Sequence, residues 1–138
     1  MVLFKRQKDF AVQSLTLKIV NNNCPELRAQ LDGPRLDTRV NLTLVVMVIP
    51  FKNGEPMIGE TFIAVTKDFS SAGVSVVLNG PRALHEAILG FRFEGEMHFV
   101  RAKAKHLNPM GGGFFQIGFN MLDVISVHDY PKLKSMSF

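Results

Sequence analysis

The sequence predicts an all-β fold, a small antiparallel barrel or sandwich built from six short strands. Runs rich in Val, Ile and Phe follow one another from residue 38 onward, and several of them alternate between apolar and polar positions. Clusters of Gly, Pro and Asn separate these runs at regular spacing. The 138 residues most simply form one folded unit with a buried core. Closing the sheet into a barrel would remove the exposed edges of such apolar strands.

The N-terminal part of the chain behaves differently from the rest. Residues 10–20 fit a strand or a helix, and their periodicity does not decide between the two. The breaker "NNNCPE" follows, and Pro25 is suited to the first turn of a short helix ending near Gly33. We therefore divide the chain into an N-terminal extension, residues 1–32, and a barrel domain, residues 33–138. The extension is compatible with an extra strand, a docking helix for a homodimer, or a link to a second domain.

The six strands are expected in a regular order. The first strand alternates and then becomes apolar on both faces, and "FKNGEPMIG" supplies its turn. "GPRALHEAIL" predicts a loop with one helical turn, and "NPMGGG" predicts a flexible turn before the last strand. The C-terminal tail predicts a short helix that Pro131 interrupts. The predicted strands cover residues 38–51, 60–69, 73–79, 89–94, 96–107 and 113–121.

Composition narrows the class of protein. The single Cys24 has no partner for an internal disulfide, which favours a reducing compartment. The N-terminus lacks the apolar core of a signal peptide, and no run approaches the ~18 apolar residues of a membrane-spanning helix. We expect a cytoplasmic protein that does not insert into membranes. The net charge of +4 leans only weakly towards an anionic partner, because the basic residues are spread along the chain.

The sequence carries no pattern of a catalytic or metal site. The four histidines show no metal-ligand spacing, and neither a Gly-x-Ser-x-Gly turn nor a phosphate-binding loop is present. We therefore expect no enzyme activity, no metal and no cofactor.

Two short motifs stand out as candidates for ligand binding. In "PRLDTR", Arg35 and Arg39 place two guanidinium groups on a short loop that Pro34 stiffens, and such groups bind phosphates and guanine edges. Taken alone, the spacing of the two arginines favours solvent-exposed side chains before a strand over a binding site.

The second motif is "KDFSSAGVSV". Asp68 and Ser70 are suited to accept hydrogen bonds within a turn, and Gly73 is expected to supply a positive φ for re-entry into a strand. A β-turn explains these residues without any ligand. If the turn faces Arg35 and Arg39, Asp68 can accept from the guanine N–H groups and Ser70 can donate to a phosphate.

Together, Arg35-x-x-x-Arg39 and Asp68-x-Ser70-x-x-Gly73 resemble the signature of the PilZ domain family. The resemblance continues to the pair Gly118-Phe119 and covers roughly residues 33–125. It implies a six-stranded antiparallel β-barrel with a short C-terminal helix, and a non-catalytic receptor for the bacterial second messenger cyclic di-GMP. By the same resemblance, Arg35, Arg39, Asp68, Ser70 and Gly73 form the ligand site, with Pro34, Arg28 and Gly118 as additional candidates.

The resemblance also implies an output through a protein partner, in the control of motility, pili or polysaccharide. Two alternatives stay open. One is a PilZ-like adaptor that works by protein contacts without nucleotide. The other is a basic barrel for single-stranded nucleic acid, which would present aromatic stacking platforms. Alternation disfavours the second alternative, since it turns five phenylalanines inward: Phe91, Phe93, Phe99, Phe115 and Phe119.

Overall fold

A computed structural model describes residues 2–23 and 39–138 of the chain. Within these two ranges, one α-helix precedes eight β-strands, of which six are long and two contain only two residues each. A 3-10 helix, Ile58–Glu60, precedes the fourth strand, and a second one, Pro131–Ser135, lies in the tail. The elements are α1 Val2–Asn23, β1 Val40–Asn41, β2 Val45–Lys52, β3 Glu55–Pro56, β4 Phe62–Phe69, β5 Gly73–Leu78, β6 Glu86–Phe93, β7 Glu96–Gly111 and β8 Phe114–Ile125.

The six long strands form a closed antiparallel ring. Their order is β2–β4–β5–β8–β7–β6, and β6 pairs again with β2, with Met47 opposite Gly90. The predicted six-stranded antiparallel barrel is confirmed. The turns Asn53–Gly54 and Glu94–Gly95 have positive φ at both residues, the geometry that joins two antiparallel strands most tightly.

Every second side chain of each strand points into the barrel interior, because successive residues of a strand point to opposite faces. Val46 and Val48 of β2, Phe69 of β4, and Phe91 of β6 are all buried in this interior. Burial of each such side chain contributes about 1.5–3 kcal/mol relative to exposure. The core therefore consists of Val, Leu, Ile and Phe side chains from every strand of the ring.

A second buried cluster lies on the outer face of β2, β6 and β7. Met47 and Ile49 alternate with the inward residues of β2, and they pack with Ile88 and Phe99 under Leu133 of the tail. This cover explains why the first long strand is apolar on both faces. Four of the five phenylalanines predicted to face inward join the interior cluster, but Phe99 is buried on the outside. For Phe99 that prediction is wrong, because the tail gives the outer face a second core.

The N-terminal segment whose conformation the sequence left open is helical. Its buried residues recur at three- and four-residue spacing, which places them on one face of α1: Val12, Leu15, Thr16, Ile19 and Val20. The four apolar ones belong to the same buried cluster as the barrel interior. The Thr16 hydroxyl donates to the Val12 carbonyl at 2.9 Å, so this polar side chain is satisfied within the helix.

Three local predictions are wrong. Residues 79–85 form a loop without a helical turn, and β6 begins already at Glu86. The expected turn at 108–113 is shorter, because β7 continues to Gly111. Pro131 begins the tail's short 3-10 helix instead of interrupting a helix, since proline lacks the N–H that a first helical position leaves unpaired anyway. The short helix predicted near Pro25 lies outside the described residues.

Among the helices of the described residues, none has both the length and the apolar character to cross a membrane.

Candidate functional site

Asp68 lies at the end of β4 on the outer face of the barrel. The β4–β5 register shifts between Thr66 and Asp68, so Lys67 is an extra residue in the strand. Such a bulge changes which face the following side chains occupy. Phe69 accordingly points into the core while Asp68 faces outward, and the Asp68 side chain is still only 10% exposed.

The turn after β4 is held by hydrogen bonds between Ser70 and Gly73. The Ser70 N–H donates to the Gly73 carbonyl at 2.9 Å, and the Gly73 N–H donates to the Ser70 hydroxyl at 3.1 Å. The Met121 N–H donates to the Ala72 carbonyl at 2.7 Å, which attaches the turn to β8. The Ser70 hydroxyl keeps its own proton for a further acceptor.

Gly73 is required here for a different reason from the one the sequence suggested. Positive φ angles occur at five other glycines of the described chain, and Gly73 does not share them. A Cβ at Gly73 would lie 2.9 Å from the Ser70 Oγ, closer than such atoms approach. The expected positive φ is therefore wrong, and the space needed for the Ser70 hydroxyl selects glycine.

An ion pair joins the two sequence motifs in space. The Arg39 Nη1 donates to the Asp68 Oδ1 at 2.6 Å, although the residues are 29 positions apart. The pairing of β1 with β4, which sets Asn41 opposite Asp68, brings Arg39 to this place. The Arg39 side chain is 60% exposed, so most of the guanidinium remains open to a ligand. A charge-assisted pair of this kind also orients the guanidinium plane.

A shallow floor of small residues extends from Asp68 across the sheet. Asp68 is opposite Ser75 on β5, and Ser75 is opposite Gly118 on β8. The side chains of directly opposed residues share one face of a sheet. Nothing lies within 4 Å of where a Gly118 Cβ would be, so the surface above it is open. The sequence analysis did not single out Ser75, although its two-residue spacing from Gly73 was a usable signal.

Thr66 is a second residue that the sequence analysis missed. Its buried hydroxyl donates to the Leu42 carbonyl at 2.7 Å and accepts from the Leu44 N–H at 2.9 Å. Two backbone hydrogen bonds run beside it, from the Leu42 N–H to Lys67 and from the Thr66 N–H to Leu44. These bonds fix the segment between β1 and β2. Thr66 therefore helps to hold β1, and with it Arg39, against Asp68.

The neighbouring cations differ in how far they are neutralised. Arg101 pairs with Glu86 at 2.9 Å and with Asp123 at 3.1 Å. Lys103 and Lys105 are exposed, and Lys103 is opposite Asn120 on β8. The Lys67 Nζ donates to the Gln116 Oε1 at 3.3 Å. Exposed positive charge therefore lies on both sides of Gly118.

The other predicted site residues, Arg35, Pro34 and Arg28, lie outside the described residues. The aromatic platform of a nucleic-acid barrel is not formed by the five phenylalanines considered above, since each is buried or half-buried. Within the described ranges, His, Cys, Asp and Glu form no group of three or more that could hold a metal ion.

Comparison with solved structures finds likenesses to this fold. The chain matches no protein-family model and no curated protein sequence. The structure resembles that of an inhibitor of motility from Bacillus subtilis (MotI/DgrA), with a TM-score of 0.51 and 14% sequence identity. The likeness covers 75% of this chain and 49% of the other, so the chain spans about half the length of that protein. At this identity the likeness concerns the fold.

Proposed function

We propose that the chain is a non-catalytic receptor for cyclic di-GMP that signals to a protein partner. The observation that carries this proposal is the ion pair between Arg39 and Asp68. It brings Arg39 of the arginine motif next to Asp68 of the Asp-x-Ser-x-x-Gly motif on the barrel, as a two-part binding site requires. The resemblance of these motifs to the PilZ family supplies the identity of the ligand.

The chemistry of the site matches the parts of the ligand. Asp68 has carboxylate lone pairs in addition to the one that Arg39 occupies, and these suit the N1–H and N2–H donors of guanine. The exposed N–H groups of Arg39 suit the phosphates. The Ser70 hydroxyl has a proton to donate, and the open surface above Gly118 admits a flat base. Arg35 is proposed to complete the site from the arginine motif.

The output is proposed to be a changed contact with a protein partner. Ordering a segment around a ligand converts occupancy into a new surface. The fold likeness to an inhibitor of motility makes motility control the first pathway to test.

Calorimetry with cyclic di-GMP tests the receptor directly. We expect binding at about 10 µM or tighter, which corresponds to roughly 6.8 kcal/mol. Arg39→Ala should weaken binding by about 1.5–3 kcal/mol, since charge-assisted hydrogen bonds to the ligand are lost. Arg35→Ala should have a similar effect.

Lys52→Ala is the matched control for Arg39→Ala. Lys52 is also an exposed cation in an ion pair, 3.1 Å from Glu60, but it is the last residue of β2 and is not part of the proposed site. Its loss should leave the affinity unchanged. Absence of heat from the wild-type chain at ~50 µM would exclude the receptor at this affinity. An equal loss in both lysine and arginine variants would indicate a diffuse charge effect instead of a site.

A nucleotide-independent adaptor is the second candidate, and an exposed apolar surface favours it. Ile63 and Val65 of β4 and Phe114 of β8 are 53%, 38% and 49% exposed. Together with Val77 they line one shallow cavity of about 280 Å³. Contiguous exposed apolar side chains of this kind mark protein contacts. The adaptor predicts partner binding that is the same with and without cyclic di-GMP.

A further inference from the structure

The exposed side of α1 combines a projecting aromatic ring with a groove beside it. Phe10 is 61% exposed, the largest exposed fraction among the described large apolar side chains that stand out from the surface. Next to it, a groove of about 620 Å³ runs between α1 and the β6–β7 hairpin. Pockets of ~300–1,000 Å³ accommodate ligands of many atoms, so an aromatic side chain fits.

The lining of the groove combines small and apolar side chains. Ala11 and Ser14 are the small residues of α1, and the apolar residues are the exposed Val124, the half-buried Phe93 and Leu15, which is 9% exposed. A second groove, of about 450 Å³, also includes Ala11 and Val124. The recessed surface therefore continues along both sides of this part of α1.

The rim of the groove carries charges of both signs. Lys18 lies on α1, and Glu94 and Glu96 lie on the β6–β7 hairpin. Each is exposed, and none of the three forms an ion pair within the described part of the chain. A partner that fits this surface thus has an apolar projection and charges of both signs.

The surface around α1 provides both features itself, since it carries the projecting Phe10 ring and charged side chains of both signs. We propose that a second copy of this chain occupies the groove, with Phe10 of each copy inserted into the groove of the other. A two-fold axis brings the same surface patch of both copies together. The projection of each copy can therefore enter the recess of the other, which gives two equivalent contacts. In an antiparallel pair of α1 helices related by an axis between Ala11 and Ser14, Phe10 meets the partner's Leu15. The Lys18 ammonium of one copy then pairs with the Glu96 carboxylate of the other.

This proposal does not rest on nucleotide binding, since the cyclic di-GMP site uses β4, β5 and β8 residues outside the groove. Failure of one proposal would leave the other unaffected.

Sedimentation of the 138-residue chain tests the dimer. The expected species has twice the 15.4 kDa mass of one chain, and no larger species forms, because a two-fold contact is closed. Phe10→Ser should raise the dissociation constant about tenfold or more, as removal of a central aromatic side chain does. Since Phe10 is exposed in the single copy, the variant should unfold at the same denaturant concentration when both proteins are monomeric.

Met110→Ser is the matched control, because Met110 is similarly exposed, at 44%, but lies near the end of β7 and lines neither groove beside α1. The Met110→Ser dimer should have the dissociation constant of the wild type. A chain that stays monomeric at ~0.5 mM overturns the proposal, as does a dimer that Phe10→Ser leaves intact.

Charge reversal tests the arrangement of the two copies. Lys18→Glu and Glu96→Lys should each weaken the dimer severalfold, since each places like charges opposite one another. The double variant should restore the wild-type constant to within about threefold. Additive weakening in the double variant would overturn the Lys18–Glu96 pairing and the two-fold arrangement built on it.

Discussion

The two outer faces of the barrel are built from neighbouring strands but have opposite surroundings. On β2, β6 and β7, the outward residues Ile49, Ile88 and Phe99 are buried under the C-terminal tail. On β4, β5 and β8, several outward positions remain open, among them Ile63 and Val65, although Asp68 and Ser75 are buried. The covered face stabilises the barrel, and the open face carries Asp68, Ser75 and Gly118. The same strand geometry thus builds a second core on one side and carries the proposed binding site on the other.

The largest expected difference between the faces concerns Leu133. This side chain is 1% exposed and packs on the covered face. Leu133→Ala should lower the free energy of unfolding by about 2–5 kcal/mol, because it removes buried methyl groups and leaves a cavity. Ile63→Ala on the open face should change it by only about 0.5 kcal/mol. Urea unfolding measures both, and equal losses would contradict the division into a covered and an open face.

Thr66→Val tests the attachment of the site to the barrel. The change keeps the shape of the side chain but leaves the Leu42 carbonyl and the Leu44 N–H without their partner. We expect a loss of about 1–3 kcal/mol in the free energy of unfolding. Hydrogen exchange at the Leu44 amide should accelerate.

Thr61→Val is the control for this change. The Thr61 hydroxyl donates to the Ile58 carbonyl at 2.8 Å, and Thr61 is half-buried, so water can replace the bond in part. Its loss should be smaller. A Leu44 amide that exchanges at the wild-type rate in Thr66→Val would show that the hydroxyl does not hold this segment.

Two glycines of the open face should have smaller effects on stability than Leu133. Gly73→Ala should cost about 1–2 kcal/mol of unfolding free energy, because the new Cβ displaces the Ser70 hydroxyl from its hydrogen bond. Gly118→Ala meets no neighbouring atom and should alter stability by about 0.5 kcal/mol or less.

Cyclic di-GMP titration then separates the roles of the two glycines. If the ligand lies on the floor above Gly118, Gly118→Ala should weaken binding about tenfold without loss of stability. An unchanged affinity would move the ligand away from that part of the floor.

The strands were predictable from the sequence because the alternation of apolar and polar residues, and the turn residues between strands, are local signals. "KNGE" sets a two-residue turn by itself, and Val-rich runs such as residues 73–79 have no competing helical pattern. The conformation of residues 10–20 was not predictable, since α1 buries a polar Thr16 and exposes Phe10. Its buried face becomes recognisable only from the barrel against which it packs.

The candidate site was predictable as a set of residue types but not as a geometry. The spacing of Asp68, Ser70 and Gly73 indicated a turn, and the turn is present. The contact between Arg39 and Asp68 depends on the pairing of β1 with β4 and on the bulge at Lys67. Neither of these leaves a local sequence signal, since long-range register is set by the whole sheet.

The closed ring also has a consequence for how the chain folds. The β6–β7 and β7–β8 pairs are local hairpins, whereas β2 must find β6 and β5 must find β8 over long stretches of chain. Closing such long loops costs entropy before the contacts form, so we expect folding in milliseconds to seconds. Until the ring closes, the Val- and Ile-rich edge of β2 is free to pair with another molecule. Refolding yield should therefore fall as protein concentration rises, while the closed barrel leaves no long strand of the ring unpaired on either side.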